Sequence, residues 1–196
     1  MKTIKDEVKD ITIINKSKFI TYIIPTNDIN EVKEKLENFK DKYKDATHEC
    51  FGYIIDFKEK CSDDGEPSGT AGLPILNVLK NNNLTNVVCI VIRYFGGIKL
   101  GSGGLIRAYS SCVKNALEKC EFGILEKGYK IVIEFDYNNI KNIDYILKKY
   151  NPIKSFNNKI SYTFNITEND FNILKNSLEK YSIIKNKEKI TIIKDD

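Results

Sequence analysis

Hydrophobic positions change period several times along this chain. Val8–Ile14 and Lys18–Ile24 are β-rich runs separated by Asn15-Lys16-Ser17, a pattern that predicts a hairpin. After Asn27-Asp28, which can cap a helix, the apolar residues Ile29, Val32, Leu36 and Phe39 recur at helical spacing to about Tyr43. Cys50–Phe57 reads as a strand, Lys58–Gly69 as a polar loop, and Thr70–Leu79 as a short helix. Pro74 sits in that helix's first turn, where no N–H donor is needed. Val87–Tyr94 is apolar almost without interruption, the pattern of a strand buried on both faces. A glycine-rich loop follows, then a helix from Ser102 or Gly103 to Cys120. The order to this point is β-β-α-β-α-β-α.

The pattern then starts afresh. Gly123 to Gly128 marks a boundary, followed by a strand at Lys130–Tyr137 and a helix at Asn139–Tyr150. Pro152–Phe156 and Lys159–Ile166 are strands turned by Asn157-Asn158. Thr167, with Asp170 three residues on, opens a helix to Tyr181. Ile183–Lys194 closes the chain with a strand. This β-α-β-β-α-β order is ferredoxin-like. The fold class is therefore α+β, with one domain over 1–126 and a second over 127–196.

Composition narrows the class. The chain has 196 residues, 41% hydrophobic and 30% charged, as in an ordinary globular protein able to bury a core. The net charge of +4 is unevenly placed. Residues 1–126 carry 18 Lys+Arg against 18 Asp+Glu, while residues 127–196 carry 13 against 9. The five cysteines form no C-x-x-C pair, and one histidine completes no zinc-like group, so reduced, mostly buried thiols are expected. The N-terminal residues lack the apolar core of a secretory signal, and the longest apolar run, Val87–Ile92, is too short to span a bilayer. A soluble, cytoplasmic protein without membrane attachment is the expectation.

Candidate chemistry concentrates between Gly65 and Gly104, where eight of the eleven glycines lie. The only two arginines, Arg93 and Arg107, bracket the second glycine cluster, and each offers a planar fork that lysine lacks. A strand, a glycine loop and a helix starting near Ser102-Gly103-Gly104 would aim backbone N–H groups at an anion, with the helix dipole in support. Arg93, Tyr94, Gly96, Gly97, Lys99, Gly101, Ser102, Gly103, Gly104 and Arg107 form this candidate anion or nucleic-acid site. The alternative is that the glycines serve only a tight turn and close packing. The loop is not a Walker A motif, since Ser102 stands where lysine is required, nor does it satisfy G-x-G-x-x-G. Leu100-Gly101-Ser102-Gly103 is loosely similar to the phosphate loop of galactokinase-type small-molecule kinases.

Asp63-Asp64-Gly65-Glu66-Pro67 could hold a hydrated Mg²⁺ or act in acid–base chemistry, but a solvated or Arg-paired acidic turn is favoured. No catalytic residue, metal or cofactor is assigned. His48 reads as a structural or rim residue. In the second domain Lys185, Lys187 and Lys189 alternate and would share one strand face. With Lys148 and Lys149 they form a secondary basic surface, either for nucleic acid or simply solvated.

These residues carry a resemblance. Asp64-Gly65-Glu66-Pro67-x-x-Thr70-Ala71-Gly72-x-Pro74, then Arg93-Tyr94-Phe95-Gly96-Gly97-Ile98-Lys99-Leu100-Gly101-x-Gly103-Gly104-Leu105-x-Arg107-Ala108-Tyr109, resembles the signature of the YigZ/IMPACT family. Ser17-Lys18-Phe19 and Ala46-Thr47-His48 also resemble its pattern, and the match covers about residues 1–120 without a departure in the central motif. The resemblance implies a two-layer first domain of the ribosomal-protein/elongation-factor type. It implies a ferredoxin-like second domain similar to the last domain of elongation factor G, and a link to translation.

Three functions follow as expectations. The first is a non-enzymatic translation-linked regulator that binds RNA, the ribosome or translation factors through the glycine loop, without DNA specificity. The second is a phosphate- or nucleotide-handling enzyme using Asp64, Glu66 and Mg²⁺. The third is a protein-binding module.

Overall fold

The computed structural model describes residues 1–195, a mixed α/β chain with two five-stranded sheets and five α-helices among those residues. It divides into two compact units, residues 1–124 and 125–194.

The first unit is built on one antiparallel sheet. β1 is Lys2–Ile4, β2 Val8–Ile14, β3 Ser17–Pro25, β4 His48–Ile55, β5 Lys58–Ser62 and β6 Val87–Tyr94. The sheet runs β2-β3-β6-β4-β5. β2 and β3 meet in a two-residue turn whose Asn15 and Lys16 both take positive φ (46° and 65°), the twist a tight hairpin needs. β6 lies at the centre, pairing Ile20↔Ile92 on one side and Phe51↔Ile90 on the other. Its side chains alternate between two cores. Val87, Cys89 and Val91 pack with α2 (Gly72–Asn81) and α3 (Gly101–Leu117). Val88, Ile90 and Ile92 pack with Val32 and Phe39 of α1 (Ile29–Lys42). Helices therefore cover both faces, and the expected two-layer arrangement is corrected to three layers. The reason is β6 itself, which is apolar on both sides and must be covered on both.

Asp28 caps α1, accepting from Asn30 N (2.7 Å) and Glu31 N (3.0 Å). A second correction concerns Lys58–Gly69. Its first five residues are not loop but β5, an edge strand that pairs with β4.

β7 runs unbroken from Phe122 to Phe135 through the residues expected to mark a boundary. In the first unit β1 pairs with residues 122–124. In the second unit the sheet order is β10-β7-β9-β8, with β8 Ile153–Phe156, β9 Ile160–Thr167 and β10 Ile183–Asp195. α4 (Ile140–Ile146), preceded by a 3-10 turn, and α5 (Glu168–Tyr181) pack Ile143, Phe171 and Leu178 on the side of Ile131, Ile133 and Phe135. Thr167 caps α5 through Asp170 N (3.2 Å).

Candidate functional site

The signature residues divide between the interior of the first unit and its surface. Glu66 is buried (8% exposed) although it belongs to a turn of exposed residues. Its Oε1 accepts from Arg93 Nη1 (2.5 Å) and from the Tyr109 hydroxyl (2.8 Å). The other oxygen lies 3.8 Å from His48 Nε2. Arg93, 4% exposed, also donates from Nη2 to Ser17 Oγ (3.3 Å), and its guanidinium lies over the rings of Phe19 and Phe95. One charge pair thus ties the acidic turn to the end of β6, to α3 and to the β2–β3 hairpin. A pair removed from water like this needs every partner it has.

The neighbouring groups complete the frame. Asp63 accepts from the backbone N–H groups of Gly69, Ala71 and Gly72 at 2.8–2.9 Å. Burial alone would raise its pKa, but these three donors outweigh that and hold it below the usual value. Asp64 accepts from Glu49 N (2.6 Å), and its carbonyl meets His48 Nδ1 (2.8 Å). Burial first, then the Asp64 charge, pushes the Glu49 carboxyl up to about 7. Burial likewise raises the Cys50 thiol to about 12, while its Sγ donates to the Asp63 carbonyl. Thr70 closes the turn by donating Oγ1 to the Pro67 carbonyl (2.6 Å). Among the described residues no group of three or more His, Cys, Asp or Glu is placed to hold a metal ion.

The glycine loop sits above this frame. Gly96 N donates to Ser17 Oγ, and a methyl at Gly96 would overlap the Lys16 carbonyl and the Ser17 nitrogen. Only glycine lets the loop cross the hairpin so closely. Gly97 and Gly101 then take positive φ (86° and 68°). The helix α3 begins at Gly101, with Leu100 at the capping position, no capping side chain and no acidic residue in its first turn. Lys99, Gly101, Ser102, Gly103 and Arg107 are exposed, and Gly104 is half-buried. Arg107 lies back along the helix, its Nη1 3.5 Å from where a methyl on Gly103 would stand. Among the described residues, neither Lys99 nor Arg107 makes an ion pair. The arrangement can therefore receive an anion on free backbone N–H groups and two unpaired cations.

The structure brings together Glu66, Arg93 and His48, the first two buried and His48 half-buried beside them. Arg93 is not on the exposed loop with Lys99 and Arg107. Tyr94 is also engaged, donating its hydroxyl to Asp45 (3.0 Å). Ser17 and Tyr109 stand in the family-like signature, but the sequence did not mark them as parts of the frame. A lone serine after a tight turn and a tyrosine in a helix give no signal that one holds Arg93 and the other Glu66.

In the second unit the alternating lysines lie on one continuous strand, β10, and all three are exposed. Lys185 pairs with Glu134 (3.1 Å), and Lys187 lies over Tyr129 and Phe171 (3.8 and 3.9 Å), so two of the three are already engaged. Lys149 pairs with Asp170 (3.2 Å), while Lys148 lines a cavity of about 420 Å³ with Asp144, Asn151, Pro152 and Lys154.

Residues 15–117 match the model of the Impact N-terminal domain. The IMPACT family member YvyE of Bacillus subtilis is 43% identical over 128 residues, which is 64% of this chain and 58% of that protein. The IMPACT family member YigZ of Escherichia coli is 32% identical over 139 residues, covering 68% of each chain. The chain thus spans well under two thirds of the Bacillus relative. A solved structure of a hypothetical protein shares the fold at a TM-score of 0.63, with 24% identity over 93% of this chain and 95% of that one.

Proposed function

Because the chain belongs to the IMPACT family, we propose that it is a translation-linked regulatory protein that binds RNA, free or within ribosome-associated partners, through the Gly96–Gly104 loop. One observation carries this reading. The uncapped start of α3, a helix of 17 residues, carries exposed Lys99 and Arg107 without an ion pair and no acidic residue in its first turn. Phosphate is the anion such a site fits, since it takes several N–H donors and a guanidinium fork at once. A polymer of phosphates fits the link to translation better than a single small ion. The contacts are to backbone phosphate, so little sequence preference is expected. Lys148 and Lys189 are the members of the secondary basic surface best able to assist, because the other three lysines already have partners.

The strand order β10-β7-β9-β8 with both helices in one core supports a ferredoxin-like second domain. The enzymatic alternative draws no support from the acidic turn, where Glu66 is buried with Oε1 held by Arg93 and Tyr109, and Asp64 Oδ2 is held by Glu49 N.

Fluorescence anisotropy with a mixed RNA pool across a salt series tests the proposal. Binding should weaken steeply with salt, as phosphate neutralisation requires, and Arg107→Ala should reduce it about tenfold. Undiminished binding by Arg107→Ala, or no binding at any salt, would remove the site from the loop.

A further inference from the structure

The two outer strands of the first sheet are built differently. β5 is short, with Lys58, Glu59 and Lys60 all exposed and Glu59 paired to Lys80 (2.9 Å). Charges of this kind blunt an edge against strand addition. β2 is seven residues long, and among the described residues no strand pairs with its far side.

Its side chains on the α1 face are unusual for an open edge. The register sets Lys9 beside Tyr22, Ile11 beside Ile20 and Ile13 beside Lys18. Ile20 and Ile92, which continue the Ile11 row inward, are 4% and 0% exposed, yet Ile11 is 51% and Ile13 71% exposed. A buried apolar row thus ends in an uncovered isoleucine, Ile11, and a second, Ile13, stands exposed on the same face beside Lys18. The opposite face of β2 is anchored, because Asp10 pairs with Lys119 (2.6 Å) and accepts from Thr12 Oγ1.

The charged side chains nearest the isoleucines in the ladder are lysines, and the Asp45 carboxylate lies farther in, on the Tyr94 hydroxyl beyond Lys18. Lys9 and Lys18 flank the isoleucines, and Lys42 reaches over Tyr22 from the end of α1. The carboxylate in the same row, Glu49, lies on β4, with two strands between. Asp6 and Glu7 precede the strand and are not part of the ladder.

We propose that β2 is a docking edge for an extended segment of a partner protein. The segment adds as a further strand, with apolar residues against Ile11 and Ile13 and acidic residues against Lys9 and Lys18. Main-chain hydrogen bonds along the edge supply affinity, and the isoleucines and lysines select the side chains. A second copy of this chain fits less well. Antiparallel pairing of β2 with itself would gather Lys9 and Lys18 of both copies on one face with no carboxylate of β2 to meet them. This inference is independent of the RNA reading, which concerns the glycine loop.

The test uses a fluorescein-labelled synthetic peptide of alternating valine and threonine with glutamates at both ends. The native chain should bind it saturably and protect the β2 amides from hydrogen–deuterium exchange. Ile13→Lys, at an exposed position, and Ile11→Lys should each weaken binding about tenfold, as should replacing the peptide's glutamates by lysines. Absence of saturable binding, protection elsewhere than β2, or equal binding of the lysine peptide would each overturn the proposal. So would a dimer by sedimentation that Ile13→Lys dissolves, since it would make a second copy the occupant.

Discussion

The two arginines of the signature have opposite fates. Arg93 ends a central strand, lies between two aromatic rings, and holds Glu66 in the interior. Arg107 lies on the exposed side of α3 and has no ion-pair partner among the described residues. A single motif therefore contains both the frame that fixes a loop and the groups the loop offers to solvent. Residue type and spacing do not distinguish these roles, but burial does.

Removing one half of the buried pair should produce the largest effect. Arg93→Met takes the cation from the buried Glu66 carboxylate, leaving it only the Tyr109 hydroxyl and the more distant His48, and should cost about 3–5 kcal/mol in urea unfolding. The double variant with Glu66→Gln should recover part of that loss, because the stranded charge is gone. If Arg93→Met were as stable as the native chain, Arg93 would belong with Arg107, and the contrast would fail. Gly96→Ala comes next. Its methyl would collide with hairpin backbone, so about 2–3 kcal/mol should be lost and the loop displaced, with RNA binding falling too.

A smaller, pH-dependent effect probes the rim of the frame. The Glu49 carboxyl is raised to about 7 by burial and the Asp64 charge. The folded state therefore holds a proton that the unfolded state releases above its ordinary value. Stability from this group is fully present below about pH 4.5 and declines as pH rises through about 7. Glu49→Gln should remove that decline. It should gain about 1 kcal/mol at pH 8, after allowance for solvent screening at a half-exposed site, and nothing at pH 4. Thermal melts at the two pH values measure the difference. Smallest of all, Arg107→Ala should change stability by less than about 0.5 kcal/mol, as exposed side chains without partners usually do. A larger loss would make Arg107 part of the frame.

Much of this architecture was readable in advance. The β2–β3 hairpin, the Asp28 and Thr167 caps and the β-α-β-β-α-β order all come from local chemistry, which sequence records directly. Val87–Tyr94 also announced a strand buried on both faces. That alone argued for helices on both sides, against the two layers the family resemblance implied. β5 was hidden because Lys58, Glu59 and Lys60 look like loop, although charges are what an edge strand carries. An arginine partner for the acidic turn was foreseen only as a surface pair; that Glu66 meets Arg93 and Tyr109 in the interior was hidden for a different reason. These residues are far apart in sequence, and charged residues are expected at the surface until a fold shows otherwise.

The most direct test of the account is amide chemical-shift mapping on the ¹⁵N-labelled chain titrated with an RNA oligonucleotide. The amides of Gly97, Gly101, Ser102 and Gly103 should shift first and together, while that of buried Arg93 stays in place. Shifts confined to residues 185–189, or none at all, would contradict a site on the loop.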